Sequence, residues 1–367
     1  MKKLILLTTL LLNAYFAVAQ GSTYSSIGGR VLDDQGLPLT GSNVVVKHIP
    51  TGSVYGVITD EEGYFRASGL RPGGPYSIEI TYTGFETFKK EGFFLQLGQT
   101  ERFNPTLSSS LTELDEIIIT GGYNSNKTGN EVYVDREKID ALPQVSRSLA
   151  DFVRTTPFAQ IGEGSDGYAI SIAGQNNRYN TIYIDGAVNN DIFGLAGSGT
   201  NGGQTGVNPI SIDAIESFQV QVSPFDVKIG GFAGGAVNAV TRSGSNELEA
   251  SVYYYSKNEN LSGKDSWANN EKLANFSNQL IGVRLGGAIV PNKLFYFVNY
   301  ERQDDETPNP WDATGYTGDL GSSGIQSFGQ QVQAAYGFDP GTLFPTTTIQ
   351  ESDKINSKLN WNARENS

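Results

Sequence analysis

The sequence predicts a multidomain, β-dominated chain: an all-β sandwich, then an α/β domain, then the first strands of an incomplete β-barrel. Three observations predict it. Short strands separated by Gly/Asp/Pro turn clusters recur through residues 23–108, the spacing of a sandwich. Helical periodicity then appears between residues 136 and 157, followed by a strand built from small residues. From residue 246 onward, apolar and polar residues alternate with period two and aromatics recur, the pattern of a barrel wall with two unlike faces.

The N-terminus reads as a secretory signal. Lys2 and Lys3 precede a mostly apolar run from Leu4 to Val18, and Ala17-Val18-Ala19 is an A-x-A cleavage site. Residues 1–19 are then removed, with cleavage between Ala19 and Gln20. The run is too short for a spanning anchor. The chain has 367 residues, no cysteine, one histidine and a formal charge of −13. Without cysteine there is no disulfide framework, lipid-modified cysteine or thiolate metal site. The acidic balance argues against nucleic acid as a partner.

Residues 20–108 form the sandwich. Asn43-Val44-Val45-Val46-Lys47 is a strand. Tyr55 to Ile58 and Tyr64 to Ala67 flank Thr59-Asp60-Glu61-Glu62-Gly63 as a hairpin, whose acidic run reads as a solvated turn. Residues 109–130 form a linker with one segment of high β-propensity, Leu114 to Thr120. This segment is either the last strand of the sandwich or a strand free to pair with a partner's sheet edge. Its position between domains favours the second.

Residues 131–245 read as α/β. Glu131 to Asp135 is a strand, and Arg136 to Leu142 a helix ended by Pro143. Ser146 is a candidate cap for a helix carrying Leu149, Phe152 and Val153. Tyr168 to Gly174 and Thr181 to Asp185 are expected to pair. Phe218, Val220 and Val222 share one face of a strand, and Gly230 to Gly235 allow close backbone approach before Ala236 to Thr241. Gly197 to Gly202 spells G-x-G-x-x-G. It lacks the strand and helix of a dinucleotide site and reads as a loop.

Residues 246–367 supply four strand segments, around residues 248–255, 281–286, 294–300 and 355–362. The connections run long, short (Val290-Pro291-Asn292-Lys293), long (Asp304 to about Gln350), as in outer-membrane barrels. A barrel of ~22 strands at ~10 residues each needs well over 200 residues. The chain is therefore expected to be a fragment that cannot close a barrel alone.

The motifs carry a resemblance. Gly29, Val31, Asp33, Gly36, Pro38, Leu39, Gly41 and Val44, with Thr59-Asp60 and Gly63-Tyr64-Phe65, are similar to the carboxypeptidase-regulatory-like fold. Ile170, Ile172, Gly174, Arg178, Asn180, Ile184, Asp185 and Gly186 resemble one signature of the plug domain of TonB-dependent outer-membrane receptors. Ile215, Glu216, Phe218, Gln219 and Val220, then Gly235, Val237, Asn238, Val240, Thr241, Arg242 and Gly244, resemble its end. Ala173 stands where many members carry arginine, so the resemblance does not carry over the family's usual plug-to-barrel polar contact at this position. Asp115, Glu116, Ile117, Ile118, Ile119 and Thr120 resemble a TonB box.

The resemblance, to the Oar-like or SusC-like type, implies an outer-membrane receptor importing a bulky ligand. TonB of the inner-membrane complex would pull on the box, and a surface lipoprotein would be a possible partner. It implies no cofactor, metal or catalytic residue. The alternative is a secreted or cell-surface binding module without transport activity. The lone His48 cannot build a zinc peptidase site and reads as a strand-end residue.

Overall fold

The computed structural model describes residues 23–109, 130–144, 146–164, 167–201, 203–222, 230–264, 271–309, 318–341 and 347–362. Ala19, Gln20 and the whole Asp115–Thr120 segment lie outside them. The chain divides into two units. One comprises Met1–Ala250, Arg284–Asn299 and Asn356–Ser367, the other Ser251–Val283 and Tyr300–Ile355.

The first unit opens with the sandwich. Its strands are β1 (Ser25–Arg30), β2 (Leu32–Asp33), β3 (Asn43–His48), β4 (Ser53–Ile58), β5 (Tyr64–Leu70), β6 (Gly73–Thr81), β7 (Phe88–Leu95), β8 (Thr100–Arg102) and β9 (Thr106–Leu107). They form sheets in the orders β5-β1-β8, β4-β3-β6-β7 and β2-β9. Val44, Val46, Ile78 and Ile80 belong to one buried cluster with Ile27, Phe65, Ala67 and Leu70. Burying each such aliphatic or aromatic side chain contributes about 1.5–3 kcal/mol.

The expected hairpin around residues 59–63 is corrected. The tight turn exists: Asp60 N–H donates to Tyr64 O at 2.8 Å, and Asp60 Oδ1 accepts the Tyr64 N–H at 2.7 Å. Its flanking strands, however, belong to different sheets. Buried Thr59 anchors the crossing, donating to Leu39 O at 2.6 Å and accepting from Ser42 N–H at 2.8 Å.

The α/β domain follows in the same unit. Its elements are β10 (Asn130–Val134), α1 (Arg136–Ala141), α2 (Leu149–Val153), β11 (Ala159–Gly164), β12 (Gly167–Ile172), β13 (Thr181–Ile184), β14 (Ala187–Val188), β15 (Ile215–Val222) and β16 (Gly235–Thr241). The sheet order is β10-β15-β16-β13-β14, and β11 and β12 form a separate ribbon. Ile139 of α1 and Leu149, Phe152 and Val153 of α2 cluster with Phe218, Val220, Val237 and Ala239. The Phe152 and Phe218 rings meet edge-on at 5.0 Å, an arrangement aromatic pairs prefer. All seven residues of β16 are buried, so small side chains suit a strand covered on both faces.

Two local expectations change here. Ser148, not Ser146, caps α2; Ser146 instead donates its hydroxyl to Asp151 Oδ1 at 3.0 Å. The segments 168–174 and 181–185 do not pair with each other. Strand β12 pairs with β11, and β13 pairs parallel with β16. Left-handed backbone at Ala173 and Gly174 (φ 55° and 72°) turns the chain out of the ribbon first.

The last four strands are β17 (Glu249–Asn258), β18 (Ser277–Val290), β19 (Leu294–Pro308) and β20 (Thr347–Trp361), in that order across one open sheet. The Val290–Lys293 turn is closed by Lys293 N–H to Val290 O at 3.1 Å, with Asn292 left-handed. The long connection expected from Asp304 to about Gln350 is shorter, because β19 runs to Pro308 and β20 begins at Thr347, and it contains a helix, α3 (Gly321–Tyr336), ended by left-handed Gly337. Its Gly-, Ser- and Gln-rich composition hides the helical pattern.

One face of these strands is apolar and exposed, carrying Val252, Val283, Val298, Ile355, Leu359 and Trp361. The opposite face carries polar and charged groups beside buried Leu280, Phe295 and Phe297. In the second unit, buried Glu301 accepts from Lys354 Nζ at 2.9 Å and from Tyr253 OH at 3.1 Å. Among the described residues, no helix is long and apolar enough to cross a membrane.

Candidate functional site

The residues singled out in the α/β domain gather at the two ends of β16, where it runs parallel to β13 from Thr181 opposite Ala236 to Ile184 opposite Ala239. At the far end from the barrel strands, the side chain of buried Asn180 bridges two segments. Its amide donates to Ile170 O at 2.7 Å and its Oδ1 accepts the Gly235 N–H at 3.2 Å. Glycine is required at 235, because a Cβ there would lie 2.7 Å from both Gln221 O and the Ile172 side chain. Gly174 turns the chain toward this point. Arg178 follows in a 3-10 turn, Asn177–Tyr179, and its side chain lies over Gly194, where an added Cβ would sit 3.3 Å from Nε.

At the other end, Asp185 and Gly186 take left-handed backbone (φ 47° and 79°). Asp185 N–H donates to Ala239 O at 2.9 Å. Its Oδ1 accepts the Thr241 N–H at 2.9 Å, and its Oδ2 accepts the Thr241 hydroxyl. Lys358 of β20 completes the knot, donating to Asp185 Oδ1 at 3.3 Å, Thr241 O at 3.0 Å and Thr241 Oγ1 at 3.1 Å. Asn238 lies buried between the two ends, opposite Gln219 of β15.

Sequence reasoning missed the counter-charges. Lys358 lies within the 355–362 segment, where alternation alone names no partner for it. Asp213, buried in a short 3-10 turn (Ile212–Ala214), pairs with Arg147 and lies 3.8 Å from both Arg136 and Arg284. Arg284 belongs to β18, and Phe297 of β19 joins the α/β core cluster. Among the described residues, polar contacts between this domain and the barrel strands run through Asp185, Asp213 and Arg242, which meets Glu249 of β17 at 2.9 Å. Arg284 and Lys358 alternate with apolar residues on strands of barrel pattern. A charge on the inner face of such a strand needs a partner, and that was the available signal.

His48 ends β3, as expected, but it is buried and bonded. Its Nδ1 lies 2.6 Å from Thr51 Oγ1, and its ring sits 4.6 Å from Tyr76. Burial first, and the Arg71 charge second, lower its pKa from 6.5 to about 4. The unfolded chain takes up this proton near pH 6.5 and the folded chain only near 4. The neutral ring therefore favours the fold fully above about pH 6.5, and that contribution falls away as the pH drops to 4. The shift corresponds to about 3 kcal/mol. Thermal unfolding of residues 20–108, followed by circular dichroism, should show this loss between pH 6.5 and 4.5. His48→Gln, which can still bond Thr51, should remove most of it. No group of three or more acidic or histidine side chains that could hold a metal occurs among the described residues.

Residues 26–108 match the carboxypeptidase regulatory-like domain family. Residues 124–237 match the TonB-dependent receptor plug domain, and residues 240–363 an outer-membrane β-barrel domain. The chain is similar to the TonB-dependent transporter Oar of Myxococcus xanthus, 30% identical over 302 residues, covering 77% of this chain and 27% of that protein. It is similar to the probable TonB-dependent siderophore receptor PirA of Acinetobacter baumannii, 25% identical over 205 residues, covering 52% of this chain and 25% of that protein. A solved structure of the siderophore receptor PirA from Acinetobacter baumannii is 23% identical, with a TM-score of 0.38 over 51% of this chain and 26% of that one. The chain spans about a quarter of the length of these relatives. With a regulatory-like sandwich, a plug and barrel strands in that order, the chain belongs to the TonB-dependent receptors of the outer membrane.

Proposed function

We propose that the chain is the N-terminal part of an outer-membrane receptor that takes up a bulky ligand, driven by TonB. In this reading residues 1–19 direct export, and residues 20–108 and the box at Asp115–Thr120 lie on the periplasmic side. Residues 131–245 close the lumen of the barrel that begins at residue 246. The chain performs no catalysis and needs no cofactor; its partners are TonB and the membrane, with a surface lipoprotein as a candidate third.

The observation that carries this reading is the pairing of Lys358 and Arg284, on barrel strands, with Asp185 and Asp213 of the plug. A domain held by such polar contacts can be released by a pull without exposing a large apolar core. The reading also gives the exposed Val252, Leu359 and Trp361 face a lipid environment. A secreted binding module would leave that face in water, where an apolar patch of this kind invites association.

Under this reading TonB adds the 117–120 segment to its own sheet by backbone hydrogen bonding. Ile118→Pro removes one donor and fixes φ. In the receptor in its outer membrane, the variant is expected to abolish energy-dependent uptake and to leave ligand binding at the cell surface unchanged. Uptake at the wild-type rate would remove the box from residues 115–120.

A further inference from the structure

The sandwich meets both the plug and the turns of the barrel strands, and the bonds are specific. Three asparagines lace the turns together. Asn246 and Asn292 exchange bonds of 2.9 and 2.8 Å. Asn362 N–H donates to Lys293 O at 2.8 Å, and its side-chain amide donates to Asn292 O at 3.0 Å. The sandwich seats on this lattice through its β3–β4 turn. Asn246 N–H donates to Pro50 O at 2.9 Å, and the Asn362 amide also donates to Ser53 Oγ at 2.8 Å. Arg71 reaches Asn362 Oδ1 at 3.2 Å. Gly52 lies so close that an added Cβ would sit 3.1 Å from Asn292 Cγ.

A second contact falls on the plug. Leu97 of the sandwich, Tyr133 of β10 and Val240 of β16 form a small buried apolar cluster. Beside it, the Gln99 amide bonds the carboxylate of Glu131, whose other oxygen accepts from Gln219 at 2.6 Å. Burial raises the Tyr133 pKa to about 12. Among the described residues, strand β10 is the edge of the plug sheet and pairs with β15, so its other side faces this support.

We propose that the sandwich is a bracket, seated on the barrel turns at Asn246, Asn292 and Asn362, that braces edge strand β10 through Leu97 and Gln99. Strand β10 is the first described element of the plug. A pull applied there loads the bracket before it loads the central strands, so the bracket sets how readily the plug begins to open. This last consequence rests on the transport reading above; the bracket itself does not.

The chain has no native cysteine, so introduced pairs report without background. The Cβ separation implied at Gly52 and Asn292 suits a disulfide. In purified, detergent-solubilised receptor, Gly52→Cys combined with Asn292→Cys is expected to form an intramolecular disulfide under mild oxidation, read by gel mobility. Failure to form it overturns the docking. Native-state hydrogen exchange then tests the brace without ligand or TonB. Amides of β10 should exchange roughly tenfold faster in Leu97→Ser, and more modestly faster in Gln99→Ala, which leaves the apolar cluster intact. They should slow again when the disulfide is closed in the Leu97→Ser background. Amides of the separate β11–β12 ribbon, which contributes nothing to this cluster, should be unaffected. Equal β10 exchange in all forms would overturn the brace, whereas loss of uptake dependence on TonB would overturn only the transport reading.

Discussion

Asp213→Ala is expected to be among the most damaging single substitutions in the plug. Asp213 is buried and gathers Arg147, Arg136 and Arg284 within 3.8 Å or less. Removing the carboxylate leaves guanidinium groups, each less than a quarter exposed, facing one another. Breaking a buried ion pair from one side costs about 3–5 kcal/mol, because the remaining charge is left uncompensated. Native-state hydrogen exchange of the plug amides in the receptor would read the loss as an exchange rate at least a hundredfold higher. Asp213→Asn, which keeps hydrogen-bond capacity, should cost less. An Asp213→Ala protein with wild-type exchange would show that the arginines find other partners.

Asn180→Ala is expected to follow closely. Its side chain satisfies Ile170 O and the Gly235 N–H at once, in a site too tight for a side chain at 235. Alanine leaves a buried donor and a buried acceptor without partners, at about 1–3 kcal/mol each. The loss should concentrate where β12, β13 and the start of β16 meet, so amides of β13 and β16 should lose protection while those of β10 and β15 lose less. Asn180→Asp, which keeps the acceptor for Gly235 but not the donor for Ile170, should fall between. Uniform protection in Asn180→Ala would mean that the bridge contributes nothing to the hold on β16.

Both residues stood out differently in the sequence. Asn180 belonged to a recognisable motif, as did Asp185, Gly235 and Thr241, because each sits where either the backbone and the space around it or a specific side-chain bond allows few residue types. Positive φ at Asp185 and Gly186 and the absence of room at Gly235 leave a mark on sequence. Asp213 left none. Its role depends on three arginines from residues 136, 147 and 284, brought together only by folding. The same holds for Lys358, whose partners lie at residues 185 and 241.

The sequence by itself determined the order of sandwich, α/β domain and barrel strands, the inner and outer faces of those strands, and the short turn at 290–293. These follow from local periodicity, from turn residues and from the two unlike environments on either side of a barrel wall. Tertiary structure alone decided which strands pair. The chain crosses between sheets at Thr59 instead of folding back, and leaves the β11–β12 ribbon at Ala173 and Gly174 to bring β13 beside β16. It also placed a helix at Gly321–Tyr336 and joined the sandwich to plug and turns through Leu97, Gln99 and Asn362. Alternation says that a strand has two faces, but not which neighbour its backbone will bond. That choice depends on contacts between residues far apart in the chain, whose energy exists only once the chain has folded.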